Sequence, residues 1–205
     1  ADNFWPANAP TEGPNGPCGP CSEIYFDFGA KYGCGSPHCG PACSCGRFVE
    51  FWNLVFTQFD RQSDGSLPPL PQANIDTGMG LERLACVLQG KKTNFEIDIF
   101  QTINEAVKKH LALKASANNH LYAISDHVRA VAFSITDGVI PSNEGRGYVI
   151  RKLIRRALWR AHQLVHSPEA KTNAILDPFL YEVSSEVVRV MKGTYPELAQ
   201  AEYNI

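Results

Sequence analysis

The chain has no apolar run long enough to span a bilayer, which excludes a membrane-crossing helix in this sequence. It has no basic excess. The 19 Lys and Arg stand against 21 Asp and Glu, a net charge of −2, so any nucleic-acid surface must be local. Its first residues, Ala1-Asp2-Asn3-Phe4-Trp5, hold neither a basic segment nor an apolar one of the kind a secretory leader needs. They lack an initiator Met as well, so we expect a processed or truncated piece of a cytoplasmic protein. Repeats and low-complexity tracts are absent. What is present is 205 residues of ordinary apolar content, enough for one or two domains with a core. Seven cysteines are an awkward count for a disulfide framework, so they are read as reduced or metal-bound.

The two halves differ in texture. Residues 1–80 are rich in Gly and Pro and carry short apolar runs. Ser22–Phe28 reads as a strand, and FVEFWNLVFTQF, Phe48 to Phe59, as a longer one, because aromatic and β-branched residues suit a pleated surface. Ser63-Asp64-Gly65-Ser66 is a turn signal, and the chain should return as a strand through Asn74-Ile75-Asp76. After Gly80 the period becomes helical, with Leu81, Leu84, Ala85 and Leu88. Thr93-Asn94-Phe95-Glu96 has the form of a capping box before a helix carrying Ile97, Phe100, Ile103, Ala106 and Val107. A third helix carries Leu121, Ile124, Val128, Val131, Ala132 and Ile135 and closes at Gly138 and Pro141. A fourth starts near Gly147 and a fifth covers Pro178 to Met191. The expected class is α+β: an antiparallel sheet over residues 1–92, with a cysteine-rich insertion at 33–46, then a helical domain over 93–205.

Asn74 to Leu88, NIDTGMGLERLACVL, joins strand to helix through two glycines. Glycine lets a backbone approach a ligand closely, and a helix start favours anions. The lysine of a phosphate loop and the third glycine of a dinucleotide fingerprint are both missing. On glycines alone an ordinary turn accounts for the stretch. The flanking charges add to it. Asp76 can accept from an ammonium group, and Arg83 can fork onto phosphate or stack on a purine. An ammonium binder and a phosphate binder on one scaffold suit an amino acid plus ATP.

Asp76-Thr77-Gly78-Met79-Gly80-Leu81-Glu82-Arg83-Leu84 resembles motif 3 of the class II aminoacyl-tRNA synthetases, in the wording of the alanyl-tRNA synthetases. Asn3-Phe4-Trp5, Gly16–Ile24, Val49–Phe56 and Ser142–Arg151 resemble the same family in the same order, so the likeness spans residues 3 to about 165. The resemblance implies that Arg83 is the catalytic arginine on ATP, with Gly78 and Gly80 making room for the nucleotide. It implies that Asp76 binds the alanine α-amino group, with Gly78 beside it. Val55 would border the methyl pocket, Trp5 would wall it, and Asn53 would lie near the carboxylate. Taken singly, Val55 and Trp5 are ordinary core residues and Asn53 an ordinary backbone partner. The implied chemistry is alanine plus ATP, with Mg2+, to alanyl-adenylate, then transfer to the 3′ end of alanine tRNA. The family's motifs 1 and 2 have no counterpart here. The likeness is therefore to an internal piece whose catalytic domain lacks its N-terminal part, and which we expect to be inactive alone.

Cys34-Gly-Ser-Pro-His38-Cys39-Gly-Pro-Ala-Cys43-Ser-Cys45 sets four thiols and an imidazole close together. Structural zinc on Cys34, Cys39, Cys43 and Cys45, with His38 as a substitute ligand, is one reading; small free cysteines in a loop are the other. The pattern is not a pair of C-x-x-C knuckles. Cys18-Gly-Pro-Cys21 lacks the βαβ setting of a redox motif and is expected in a tight turn before a strand.

RGYVIRKLIRRALWR, Arg146 to Arg160, carries Arg151, Lys152, Arg155, Arg156 and Arg160 with no acid among them. Val149, Ile150, Leu153, Ile154, Ala157 and Leu158 should form its inward stripe. Such a run is a solvated face or a footprint for phosphates. The resemblance implies the tRNA acceptor stem, with Asn143 reading base edges and Arg146, Arg151, Lys152, Arg155 and Arg156 on the RNA; whether Arg151 or Lys152 lies beside Asn143 stays open. Asp126-His127-x-Arg129 also resembles a family stretch, with His127 as helix packing or polar support. Two rival readings are a non-catalytic, synthetase-like RNA-binding paralog and a zinc-stabilised interaction module. The first has no need of Asp76, Val55 and Arg83 together, and the second leaves the glycine turn unexplained. An open sheet edge is a surface through which copies can pair, making a homo-oligomer a further expectation.

Overall fold

A computed structural model describes residues 3–113, 119–166 and 177–205, so Ala1 and Asp2 of the N-terminal reading lie outside it. The chain divides into two compact units, Ala1–Asn94 and Phe95–Ile205.

The first unit is a four-stranded antiparallel sheet in the order β1 (Phe4–Trp5), β2 (Gly16–Asp27), β3 (Phe48–Arg61) and β4 (Pro69–Met79). Helix α1 (Leu81–Leu88) follows β4 at once. β2 and β3 both outrun their sequence signals. β2 begins at Gly16, so Cys18 and Cys21 lie inside a strand and are buried, not in a turn ahead of it. The reason is pairing on both sides. Gly19 and Pro20 face Trp5 and Phe4 of β1, and the ladder to β3 slips between Cys18 and Cys21. The Gly-Pro step becomes a bulge in a continuous strand.

The far end of this sheet is tied down by a buried cation that the sequence reading did not single out. Arg61, the last residue of β3, is 9% exposed and donates to Ala9 O at 2.8 Å, Thr11 O at 3.1 Å and Asn15 Oδ1 at 2.7 Å. The guanidinium fork thus fixes the loop that returns from β1 to β2. Arg61→Met strands those acceptors. We expect it to cost about 3 kcal/mol in urea unfolding, on the scale of hydrogen bonds to a charged group; a loss below 1 kcal/mol would show that the loop holds without it.

The second unit is helical: α2 (Asp98–His110), α3 (Asn119–Thr136), α4 (Gly145–Val165), α5 (Leu180–Met191) and α6 (Glu197–Ala201). Its core takes Phe100, Ile103 and Val107 from α2, Leu121, Ile124, Val128 and Ala132 from α3, Val183, Val187 and Val188 from α5, and Leu198 from α6. These fall at helical spacing, and each such burial contributes about 2 kcal/mol. One polar pair is built into that core. Ser125 donates to Asn104 Oδ1 at 2.6 Å, and Asn104 Nδ2 donates to Phe95 O at 2.8 Å.

Two local expectations are corrected. The capping box does not form. Asn94–Glu96 is a 3-10 turn, α2 starts at Asp98 behind Ile97, and Thr93 Oγ1 is buried without a hydrogen bond. Phe95 stacks on Tyr122 at 4.9 Å and meets Phe100 edge-on at 5.0 Å, so ring packing overrides the local cap. On α4 the buried side holds Ile150, Ala157, Ala161, Leu164 and Val165, whereas Val149 (53% exposed) and Leu158 (40%) face outward. Ser142 N donates to Gly147 O, folding the preceding loop against the first turn, and Ile150 packs with Val131 and Ile135 of α3, which fixes the covered side. Among the described residues no helix is long and apolar enough to cross a membrane.

Candidate functional site

Residues directly opposed in an antiparallel pair share one face, with Cβ atoms about 5 Å apart. Two rungs of the sheet matter. Cys21, Val55 and Asp76 form one; Glu23, Asn53 and Gly78 form the next. Four of the residues singled out in the sequence, Asn53, Val55, Asp76 and Gly78, therefore stand together on β3 and β4. Val55 is 8% exposed and floors the face, while Asp76 is exposed beside it. Nothing lies within 4 Å of where a Cβ on Gly78 would be. The fold itself would tolerate a side chain there, and its absence leaves a hollow between Asn53 and Asp76.

Asn53 Nδ2 donates to Glu23 Oε1 at 3.3 Å, and Tyr25 Oη donates to Glu23 Oε2. Asn53 Oδ1 is buried and accepts nothing. A buried amide oxygen without a donor costs about 1–3 kcal/mol, so this one calls for an N–H partner. Glu23 and Tyr25 were missed by sequence reading. Their i, i+2 spacing marks one strand face, but the link to Asn53 spans thirty residues.

Arg83 is not on these rungs. Its Nη1 donates to Glu50 O at 2.8 Å and lies 4.0 Å from Glu50 Oε2. Glu50 is five residues back along β3 from Val55, roughly 15 Å at the usual strand rise. The ladder slips between Ile24 and Tyr25, pairing Tyr25 with Glu50. Tyr25 bonds Glu23 on the Asn53 face, so its partner Glu50 is brought to that face also. Asp76 and Arg83 thus occupy the two ends of one strip. Gly80 has ordinary extended backbone (φ −72°, ψ 110°), so its role is space: a Cβ there would meet Arg83 Cβ, Cγ and Cδ at 3.2–3.3 Å. The arginine stem lies back across it. Trp5 lies on β1 opposite Gly19, with β2 between it and Val55, and is 49% exposed.

On α4, Arg146, Arg151, Lys152, Arg155 and Arg156 are all exposed. Tyr148 (50%) and Trp159 (54%) are exposed with them, at spacings that put Tyr148, Lys152, Arg155 and Trp159 on one side. The two aromatics were missed, although their i, i+4 and i, i+7 offsets from the basic residues are visible in the sequence. Arg160 differs from the other cations: it is half-buried, 3.5 Å from His120 Nδ1 and 5.0 Å from the Trp159 ring. Asn143 is exposed in the loop before α4. That loop needs Gly147, because a Cβ there would stand 2.3 Å from Ile140 O and 2.4 Å from Ser142 Oγ. His127 lies 3.3 Å from the Asp126 carboxylate, and Arg129 covers the Phe100 ring at 4.5 Å.

The loop between β2 and β3 brings the thiols of Cys34, Cys39 and Cys43 within 4.8 Å of one another, and Cys39 and Cys45 to 3.7 Å. His38 is exposed. Arg47 binds Asp27 with both arms at 2.7 Å across the base of the loop. That guanidinium, with the Gly29 N–H, holds the Asp27 carboxyl down at about 2.

Over residues 1–205 the chain matches the family described as tRNA synthetases class II (A). It is 48% identical over 205 residues to the alanine–tRNA ligase of Endomicrobium trichonymphae, covering 99% of this chain and 22% of that protein. It is 50% identical over 208 residues to that of Carboxydothermus hydrogenoformans, with 99% and 22% covered, and 48% identical over 205 residues to that of Clostridioides difficile, with 98% and 22% covered. The chain thus spans about a fifth of the length of the curated relatives it matches.

Proposed function

The chain belongs to the class II tRNA synthetases, and from that premise we propose that it carries the alanine pocket and the acceptor-stem helix of an alanine–tRNA ligase. The observation that supports this most is the strip with Asp76 and Val55 at one end and Arg83 at the other. It is too long for an amino acid alone and suits an aminoacyl nucleotide. Asp76 would take the α-ammonium and Val55 the methyl group, with Trp5 as wall. The hollow at Gly78 would admit the α-carbon and its carboxylate. Asn53 would hold that carboxylate only after turning its amide away from Glu23; as it stands, its Oδ1 suits an ammonium donor. The carboxylate attacks the α-phosphorus of ATP and pyrophosphate leaves. Arg83, with Gly78 and Gly80 clearing its approach, would offset charge on the phosphates, and the acyl group then passes to the 3′ adenosine of tRNA. Most of the acceleration would come from holding the reactants in line and from charge stabilisation.

Magnesium prefers oxygen ligands, and Glu50 and Glu82 are carboxylates at the Arg83 end. A structural zinc ion in the cysteine loop is part of the reading, and so is a cytoplasmic location, where the thiols stay reduced. The outer edge of β4 would take the strands that carry motif 2, and a second copy is the alternative occupant. The division of labour would follow the two units, catalytic over 1–92 and tRNA-binding over 93–205.

Expressed with its native flanking sequence, the chain should catalyse alanine-dependent ATP–pyrophosphate exchange; the 205-residue chain alone should not. Exchange by the short chain would overturn the need for motif 2. A flanked protein that binds alanine tRNA but shows no exchange would be a non-catalytic paralog.

A further inference from the structure

The cysteine loop contributes none of the residues placed on the two rungs of the sheet, and its geometry says more than that a metal fits. We infer that the zinc ion is held by four thiolates, with Cys45 and not His38 as the fourth ligand, and that it braces helix α1 through Lys92. This rests on the zinc reading of the loop and is independent of the alanine pocket.

Zinc–thiolate bonds of about 2.3 Å in a tetrahedron place sulfurs about 3.8 Å apart. The Cys39–Cys45 separation is 3.7 Å, and the thiols of Cys34, Cys39 and Cys43 all lie within 4.8 Å of one another. A disulfide needs about 2.05 Å, and all seven cysteines are free. A single S–H···S contact would explain one pair but not the convergence of the other two thiols on Cys39. Cys45 meets the cluster through Cys39, so metal binding has only to draw it inward. His38 is exposed, and its backbone N–H is turned to Ser36 Oγ at 3.2 Å.

The surroundings suit an anionic cluster. Arg47, held by Asp27, stands beside Cys39 at Gly33, so its fixed charge would favour a thiolate there. The next link is Gly46, directly after Cys45. Its carbonyl accepts from Lys92 Nζ at 2.7 Å. The same ammonium sits over the rings of Phe28 at 4.6 Å and Tyr32 at 4.2 Å, both in the strand-to-loop segment. Lys92 follows the end of α1, where Lys91 N donates to Cys86 O at 2.9 Å and Cys86 Sγ to Lys91 O at 3.0 Å. A metal that fixes Cys45 therefore fixes Gly46, then Lys92, then the C-terminal turn of the helix whose first turn carries Arg83. An eight-residue helix is too short to be stable by itself, so it depends on such anchors.

The test uses the chain with its native flanking sequence, purified without added metal. One zinc per chain is expected by elemental analysis. Replacement by Co2+ should give an intense thiolate-to-cobalt charge-transfer band, about a quarter weaker in Cys45→Ser and unchanged in His38→Ala. Chelation should raise amide exchange over residues 81–91 about tenfold or more, and Lys92→Gln should do the same with zinc still bound. Loss of the band in His38→Ala would overturn the ligand set, as would absence of zinc from the unsubstituted protein. Unchanged exchange over α1 after chelation would overturn the brace. If Cys45→Ser fails to fold, the band intensity of the unsubstituted chain and the His38→Ala spectrum still decide. None of these readouts depends on adenylate formation, so they stand apart from the alanine reading.

Discussion

Asp76→Asn is expected to lower alanine-dependent adenylate formation about 100- to 1000-fold in the protein with its flanking sequence, while the KM for ATP stays nearly the same. Losing one well-placed charge partner in a pocket has this scale. The loss should be that large because Asp76 stands directly across from Val55, with the side-chain-free Gly78 two residues on. No neighbour on that rung offers a second carboxylate: Cys21 and Val55 are its other members. Stability should change by less than about 0.5 kcal/mol, since Asp76 is exposed. The complementary variant, Arg83→Lys, should raise the KM for ATP and spare alanine binding. A lysine ends in a point charge and cannot fork onto two oxygens. If Asp76→Asn raised the ATP KM and left alanine unaffected, the two ends of the strip would have been assigned the wrong way round.

The second large effect is expected in the other unit. Changing Arg151, Lys152, Arg155 and Arg156 together to Gln should weaken binding of alanine tRNA about 1000-fold near physiological salt. The dependence of log affinity on log salt should flatten by about 3.6, or about 0.9 for each of the four phosphate contacts removed. Pyrophosphate exchange should persist, because no residue of α4 lies in the sheet unit. All four are exposed, so helix content should not fall. Asn143→Ala should behave differently. It should reduce discrimination among acceptor stems and leave the salt slope as it was, since a base-edge contact releases no counterion. An unchanged slope in the fourfold variant would mean that these cations are only a solvated face.

How much of this could be read from residues alone depends on the range of the interaction. Short-range patterns were legible. The helical period of Leu121 to Ile135 marked the buried side of α3, and the aromatic and β-branched run from Phe48 marked β3, because periodicity of burial is written locally. The motif around Gly78 and Gly80 pointed to the family in nine consecutive residues. What failed were local signals that lost to distant partners. Thr93 and Glu96 have the right spacing for a cap, but Phe95 gains more by stacking on Tyr122. Cys18-Gly-Pro-Cys21 has turn composition, yet strands on both sides hold it extended. Val149 and Leu158 fit an apolar stripe by spacing, but helix rotation is set by the packing of other elements.

The sequence by itself determined the residue types on offer: a carboxylate, an arginine and two glycines at a strand–helix junction, a run of cations on one helix, and four thiols in one loop. Only the tertiary structure decided which of them meet. Strand register set Asp76 against Val55 and Gly78 against Asn53, a bulge brought Glu50 onto the same face, and Arg61 and Lys92 each bridged segments far apart in the chain. A one-residue slip in register would send Asn53, Val55 and Asp76 to the opposite face from their present partners, and register is a property of the whole sheet, not of any strand within it.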